Sequence, residues 1–309
     1  MHSVKRSIVF LLALAAMLSR AVAGPPARMQ PAEPAQLRCN PGRPQSIPAR
    51  AATAPGGHEF ARRLEALSGP ARDALIRAEL LAGNIPDFLR HLVPISIPDG
   101  GSPPSRVELI ACVLPDYLAI GSDRDFVFVP MGLAAALEVA GGLGFTLPTP
   151  DLVDAIYRAS AIKLAPFPLP ASDEMRSTAY FVWHNDLIAQ QRDALRAAVG
   201  ELTAGHKKDL VLSSRLWSLP GRVAIYGWHR SADEPIQPLS TRHGARYADY
   251  SHGVRLVSAT VYVNGMPRAM AEVLEDSALA SRLTDEGPWT QVAKRLGALI
   301  GHEDAPPSM

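Results

Sequence analysis

The residues best suited to proton transfer are concentrated in one short stretch, HGARYADYSHG, at positions 243–253. This stretch contains His243, Asp249 and His252, and it is preceded by His229 in the motif YGWH. Histidine suits acid–base chemistry near neutrality because its unperturbed pKa is about 6.5, and a carboxylate can orient its ring. We therefore predict an acid–base site formed by His229, His243, Asp249 and His252.

Neighbouring side chains could complete this site. Ser251 could act as a nucleophile activated by His229 or His243. Arg246 or Arg255 could bind a substrate carboxylate or stabilise developing negative charge. Three aromatic residues are predicted to wall the pocket: Trp228, Tyr247 and Tyr250. The competing interpretation is purely structural, since a histidine next to glycine often hydrogen-bonds a turn and aromatic residues in β-rich segments often belong to the core.

Zinc is the alternative chemistry for the same residues. A zinc hydrolase uses three protein ligands and leaves one position open, and His229, His243 and His252 could supply those ligands. The spacing matches neither H-E-x-x-H nor the H-x6-D pattern of D-Ala-D-Ala carboxypeptidases, because five residues separate His243 from Asp249. A metal-free site is therefore favoured, and no cofactor is firmly predicted.

Several other functions are disfavoured by what the sequence lacks. It contains no G-x-x-x-x-G-K-[ST] phosphate-binding loop and no G-x-S-x-G nucleophile elbow. Its 31 basic residues nearly balance its 30 acidic residues. Without a basic cluster, a nucleic-acid partner is not expected.

The first 23 residues predict export. Lys5 and Arg6 precede an apolar run at residues 8–18, and Ala21-Val22-Ala23 is a small-x-small cleavage sequence. The apolar run is shorter than the roughly 20 residues of a membrane span, so we predict no span and a periplasmic or secreted protein.

The only two cysteines could form a disulfide in an oxidising compartment. These are Cys39, in a proline-rich segment, and Cys112, in the apolar segment ELIACVL. The alternative is a buried Cys112 and a free Cys39. The sequence leaves both open.

Composition divides the rest of the chain. Residues 24–57 are proline-rich and predict a flexible arm, whereas residues 58–300 predict one folded unit and residues 301–309 a disordered tail. The proline-rich residues 164–172 could mark a subdomain boundary. We expect a helical N-terminal half with a few strands, a β-rich C-terminal half and closing helices. Because strands cluster instead of alternating with helices, an α+β fold is favoured over a doubly wound one.

Two further polar motifs are assigned structural roles. Lys207 and Lys208 in GHKKD could bind an acidic substrate, but a lysine pair before DLVL more often marks a solvated entry into a strand, which is favoured here. Asn185 in WHND predicts the N-cap of a helix.

Longer motifs resemble an uncharacterised family of exported bacterial proteins. They are GHKKDLVL, GRVAIYGWH, PIQPLS, YADYSHGVRLV, GNIPDFLRHLVPI and DYLAIGSDRDF, and the resemblance extends from about Arg72 to Glu286. It implies export and a single architecture, and it implies no activity. Because it extends across residues 164–172, it also favours one folded unit.

Two functions remain open at this point. The first is an exported hydrolase of a cell-envelope or extracellular polymer, acting on polymeric or small-molecule envelope substrates through the four acid–base residues. The second is a non-catalytic envelope protein that binds glycans or a partner through the same surface. A zinc-dependent hydrolase is a weaker alternative, and the sequence predicts no particular oligomeric state.

Overall fold

The computed structural model describes residue 39 and residues 47–99 and 107–301. Seven α-helices lie in this part of the chain: α1 (Gly57–Leu64), α2 (Gly69–Leu81), α3 (Leu133–Gly142), α4 (Pro150–Ala159), α5 (Thr178–Ala194), α6 (Met270–Glu275) and α7 (Val292–Gly301). Short 3-10 helices lie at Asp87–Arg90, Asp173–Arg176, Ser214–Trp217 and Ala280–Arg282. The predicted signal peptide, residues 1–23, and residues 302–309 of the predicted tail lie outside the described residues.

The strands of the described residues are short and belong to four separate sheets. They are β1 (Val93–Ser96), β2 (Leu109–Val113), β3 (Ala119–Ser122), β4 (Asp125–Phe128), β5 (Phe145–Thr146), β6 (Ile162–Lys163), β7 (Thr203–Ala204), β8 (Lys208–Leu210), β9 (Ile225–Ser231), β10 (Glu234–Ser240), β11 (His252–Gly253), β12 (Val257–Val263) and β13 (Met266–Ala269). The described residues combine helices with mainly antiparallel sheets, which confirms the predicted α+β class.

The larger sheet forms much of the hydrophobic core. Its strand order is β1-β2-β12-β13, and β5 pairs with β12. Every residue of β2 is buried, as its apolar sequence LIACV requires. The alanine-rich helix α3 packs between α2 and α7, because its small side chains allow close approach.

The second sheet brings distant parts of the chain together. Its order is β10-β9-β8-β11, and β8 and β11 are its only parallel neighbours. In that pairing His252 lies opposite Lys208, and Gly253 lies opposite Asp209. The sheet therefore places the stretch at residues 243–253 beside the GHKKD motif.

The folded part of the chain begins earlier than residue 58, which corrects the predicted arm at its C-terminal end. Ile47 is buried, and the Arg50 side chain donates hydrogen bonds to the Asn84 side chain and to the carbonyl oxygens of Ala54 and Pro55. These bonds fix residues 47–57 against the body of the protein. The described residue Cys39 is also buried, and it forms a disulfide with Cys112 of β2.

The segment at residues 164–172 does not divide the described fold. The Leu164 amide donates to the Ala204 carbonyl, and the Leu169 amide donates to the Tyr250 hydroxyl. All described residues belong to one compact unit. The structure therefore has no subdomain boundary at this segment.

Helix α5 begins before the predicted N-cap. Ser177 is the N-cap, and its hydroxyl accepts a hydrogen bond from the Tyr180 amide. Asn185 instead lies in the middle of the helix, where its side chain bonds the backbone of Phe126 and Phe128. None of the helices in the described ranges has the length and hydrophobicity needed to cross a bilayer.

Candidate functional site

His252 lies near the C-terminal end of the stretch at residues 243–253, and its side chain is fully buried. A backbone hydrogen bond from Lys208 to Ser251 and the pairing of β8 with β11 fix its position. Neither ring nitrogen has a hydrogen-bond partner among the described residues. Buried polar groups are normally paired, so the free nitrogens of His252, like those of the buried His206, are open to a further partner.

The carboxylate of Asp249 is held near that ring by three hydrogen bonds. It accepts from the Ser251 amide at 2.8 Å, the Ser251 hydroxyl at 2.6 Å and the Tyr247 hydroxyl at 3.0 Å. The distance from Asp249 Oδ2 to His252 Nε2 is 4.0 Å, which is longer than a hydrogen bond. The carboxylate therefore acts on the imidazole through charge.

The electrostatics of the pair set both protonation states. Burial lowers the pKa of His252 to about 4, because it penalises the charged imidazolium; nearby Asp249 opposes this shift, and Lys208, His243 and Lys207 add to it. Burial alone would raise the pKa of Asp249, but nearby His252, the Ser251 hydrogen bonds and Lys208 hold it below its usual value. At neutral pH the site therefore contains a neutral imidazole beside an ionised carboxylate.

Two half-exposed rings cover His252. His243 stacks on Tyr247 with ring centroids 3.9 Å apart, and their planes differ by 6°. The centroid of the His252 ring lies 5.6 Å from Tyr247 and 6.3 Å from His243. Because both covering rings are partly exposed, this stacked pair forms the boundary between the buried imidazole and solvent.

Cationic side chains flank the stacked pair. The Arg176 guanidinium lies 5.5 Å from the Tyr247 ring centroid, and Arg176 is exposed. Lys208 Nζ lies 4.8 Å from the Trp228 ring. Burial lowers the pKa of Lys208, and nearby Asp249 opposes that shift. Asp249 is thus the acidic member of a mainly basic site.

His229 lies in a different cluster. Its Nε2 is 2.9 Å from Asp154 Oδ1 in α4, and its ring stacks on Tyr157 with centroids 4.6 Å apart. The Tyr226 hydroxyl donates to the same Asp154 oxygen. These contacts attach β9 to α4, and they include none of the other predicted acid–base residues. Within the described chain, no three His, Cys, Asp or Glu side chains are grouped as metal ligands, so the zinc alternative has no geometric support.

The predicted substrate-binding role of Arg255 has no geometric support. It is fully buried, and it donates hydrogen bonds to the carbonyl oxygens of Leu114 and Thr203. Its guanidinium also lies over the Tyr117 ring, 4.3 Å from the centroid. Arg255 therefore joins three segments of the core.

Other predicted site residues also have structural partners. Tyr250 is buried, and its hydroxyl bonds the backbone of Leu169. Trp228 is buried too, and its indole donates to the His206 carbonyl. The Ser251 hydroxyl bonds Asp249, and no described contact joins it to a histidine, so the nucleophile role has no geometric support. Arg246 is exposed beside Tyr247.

Lys207 is buried, which makes the prediction of a solvated lysine pair wrong for this residue. Its Nζ donates to the Tyr250 carbonyl at 2.6 Å and lies 3.0 Å from His184 Nδ1. Burial lowers the pKa of Lys207 to about 7. Strand alternation could have identified it, because adjacent residues of a strand point to opposite faces and Lys207 precedes Lys208.

A buried ionic network lies next to the site, and it was not predicted from the sequence. Asp116 bonds the Arg192 guanidinium at 2.5 Å and lies 3.2 Å from His206 Nε2. Asp209 accepts a hydrogen bond from the Tyr117 hydroxyl at 2.8 Å, and burial raises the pKa of Asp209 to about 6. The residues of this network are widely separated in the sequence, so no local motif identifies them.

Comparisons with known proteins give no relative from which the chemistry of the site could be inferred. No family model, curated protein or solved structure matches the chain. The resemblance to an exported bacterial family stays a prediction.

Proposed function

We propose that the protein is an exported hydrolase of a cell-envelope or extracellular polymer, with His252 as its acid–base residue. The observation that carries the proposal is the fully buried imidazole with two unpartnered nitrogens, 4.0 Å from the Asp249 carboxylate. An unsatisfied buried polar group costs about 1–3 kcal/mol. A substrate hydroxyl or a water that hydrogen-bonds to the ring would offset this cost.

The charges suit a hydrolytic cycle. Neutral His252 accepts a proton from the attacking water, and ionised Asp249 stabilises the imidazolium that forms. The imidazolium then donates that proton to the leaving group. The Lys208 ammonium stabilises negative charge that develops on the substrate. His243 and Tyr247 cover the ring and restrict its contact with bulk solvent.

Export is proposed from two features. The pattern at residues 1–23 is typical of a secretory signal. The Cys39–Cys112 disulfide supports the proposal, because disulfides persist in oxidising compartments. Fractionation of cells that produce the full chain would test it. Recovery of the protein only with the cytoplasmic fraction would contradict export.

Turnover of defined polymers tests the catalytic proposal. The mature protein would be incubated with purified peptidoglycan and with model polysaccharides, and new reducing ends and amines would be counted. We expect His252→Gln to lower turnover by about 100-fold or more, the usual effect of removing an acid–base group. The control is His91→Gln, since His91 is exposed. Unchanged turnover by a folded His252→Gln variant would remove His252 from the mechanism.

Non-catalytic glycan binding is a second candidate, and a different surface favours it. Trp183 is 45% exposed and lines a cavity of about 420 Å³ together with Arg62 and Glu65. An open aromatic face with polar neighbours suits the packing of a sugar ring. Trp183→Ala should abolish binding to immobilised glycans, whereas Phe167→Ala, which removes an equally exposed ring, should not. Equal binding by both variants would contradict this candidate.

A further inference from the structure

We infer that the ligand of the His252 site carries a carboxylate, which binds between Lys208 and Arg176 at the entrance. The inference rests on the proposed function only in assigning the same site. It names the chemical class of the ligand and the two cations that select it.

Arg176 and His243 lie on opposite faces of the Tyr247 ring. His243 covers one face of the Tyr247 ring at a centroid distance of 3.9 Å, in nearly parallel planes. The Arg176 guanidinium, 5.5 Å from the same centroid, therefore lies over the opposite face. Arg176 is thus exposed at the edge of the stacked pair that covers His252.

Arg176 and Lys208 form no ion pair with the described residues. No carboxylate of the described residues lies within 4.0 Å of the Arg176 guanidinium or of Lys208 Nζ, although Asp173 and Glu174 share the 3-10 helix with Arg176. Asp249, the carboxylate of the site, already accepts three hydrogen bonds. Neither cation has a carboxylate of the described residues in direct contact, so both can still form an ion pair with a ligand.

An arginine and a lysine together suit a carboxylate ligand. Arginine binds a carboxylate through two parallel N–H donors, and lysine adds a point charge. An anion beside Lys208 would also offset one of the charges that lower the pKa of His252. Binding of the carboxylate would therefore raise the pKa of His252 towards neutrality, where proton transfer is most efficient.

Two sugars that differ by one lactyl group, which carries a carboxylate, provide the test. N-Acetylmuramic acid and N-acetylglucosamine would each be titrated into the isotope-labelled mature protein, and the histidine ring signals followed by NMR. We expect N-acetylmuramic acid to bind at least tenfold more tightly and to raise the pKa of His252. Inorganic phosphate should displace it only at higher concentration than acetate does.

The variants separate specific recognition from general charge effects. The double variant Lys208→Met with Arg176→Met should lose the preference. The matched control, Lys294→Met with Arg63→Met, removes an exposed lysine and an exposed arginine and should keep it. Equal binding of the two sugars, no binding of either, a preference that survives the double variant or stronger competition by phosphate would overturn the inference.

The outcomes also separate this inference from the hydrolase proposal. Polymer turnover without a preference between the sugars overturns the carboxylate assignment alone. A sugar preference without turnover overturns the hydrolase proposal alone.

Discussion

Lys208 and His252 occupy paired positions on the parallel strands β8 and β11, although 43 residues separate them in the sequence. The pairing places an ammonium close enough to lower the pKa of the imidazole. It also places Asp249 within the electrostatic reach of both residues. The candidate site is therefore created where two distant segments of the second sheet meet.

The buried Lys207 should make stability depend on pH on the alkaline side. Its pKa is about 7 in the folded protein and 10.5 in the unfolded chain, so between these values the unfolded chain binds more protons. Stability contributed by this residue therefore rises with pH across that window, by up to about 5 kcal/mol. Lys207→Met should remove this slope in urea unfolding at pH 7, 8.5 and 10. Lys294→Met, at an exposed position, should retain it; an unchanged slope in Lys207→Met would contradict the assignment.

His252 and Asp209 should affect acid stability with opposite signs. The folded pKa of His252 is about 4, below 6.5 in the unfolded chain, so its contribution falls by about 3 kcal/mol as pH drops from 6.5 to 4. The folded pKa of Asp209 is about 6, above 3.8, so its contribution rises over a similar range as pH drops. His252→Gln should therefore flatten acid destabilisation and Asp209→Asn should steepen it. Chemical unfolding between pH 4 and 7 measures both slopes, and a common direction of change would refute this account.

Tyr247→Phe should affect catalysis more than folding. The change removes the hydrogen bond to Asp249 Oδ2 and keeps the ring that stacks on His243. Loss of that bond should raise the pKa of Asp249 and cost about 1 kcal/mol of stability. We expect the acidic limb of the turnover–pH profile to move to higher pH, whereas the control Tyr262→Phe on β12 should leave it in place. A profile that does not move would show that Tyr247 does not tune the carboxylate.

The disulfide should contribute substantially to stability. It joins Cys39 and Cys112 across a separation of 73 residues. In the chain-entropy description, a loop of this length stabilises the folded state by about 4 kcal/mol. Reductant should therefore lower the urea midpoint of the wild-type protein. It should not change that of the variant Cys39→Ala with Cys112→Ala, which should already unfold at lower urea; equal midpoints for all samples would disprove the contribution.

The closeness of four residues of the candidate site could be predicted from the sequence. His243, Tyr247, Asp249 and His252 lie on one short stretch, and turn chemistry is enough to keep them together. Lys208 could not be added, because its position depends on long-range strand pairing. His229 was grouped with them because it is a nearby histidine in the sequence, whereas Asp154 and Tyr157 of α4 hold it.

The same limit applies to the buried charges. Arg255 was interpreted as a substrate-binding residue, since an arginine near histidines usually contacts solvent. In the fold it satisfies backbone carbonyl groups of Leu114 and Thr203, which belong to distant segments. Only the three-dimensional arrangement shows that those carbonyl groups need a donor.

Strand β9 contributes adjacent residues to two different clusters, and its backbone is irregular at these residues. Gly227 and Trp228 are consecutive residues with positive φ, at 101° and 58°. Adjacent residues of a regular strand point to opposite faces, and both Trp228 and His229 are buried here. The Trp228 ring contacts the Lys208 ammonium, and His229 bonds Asp154 of helix α4. A positive φ costs a non-glycine residue about 1–3 kcal/mol, so the surrounding fold holds Trp228 in this conformation at the point where the candidate site and helix α4 share one short segment.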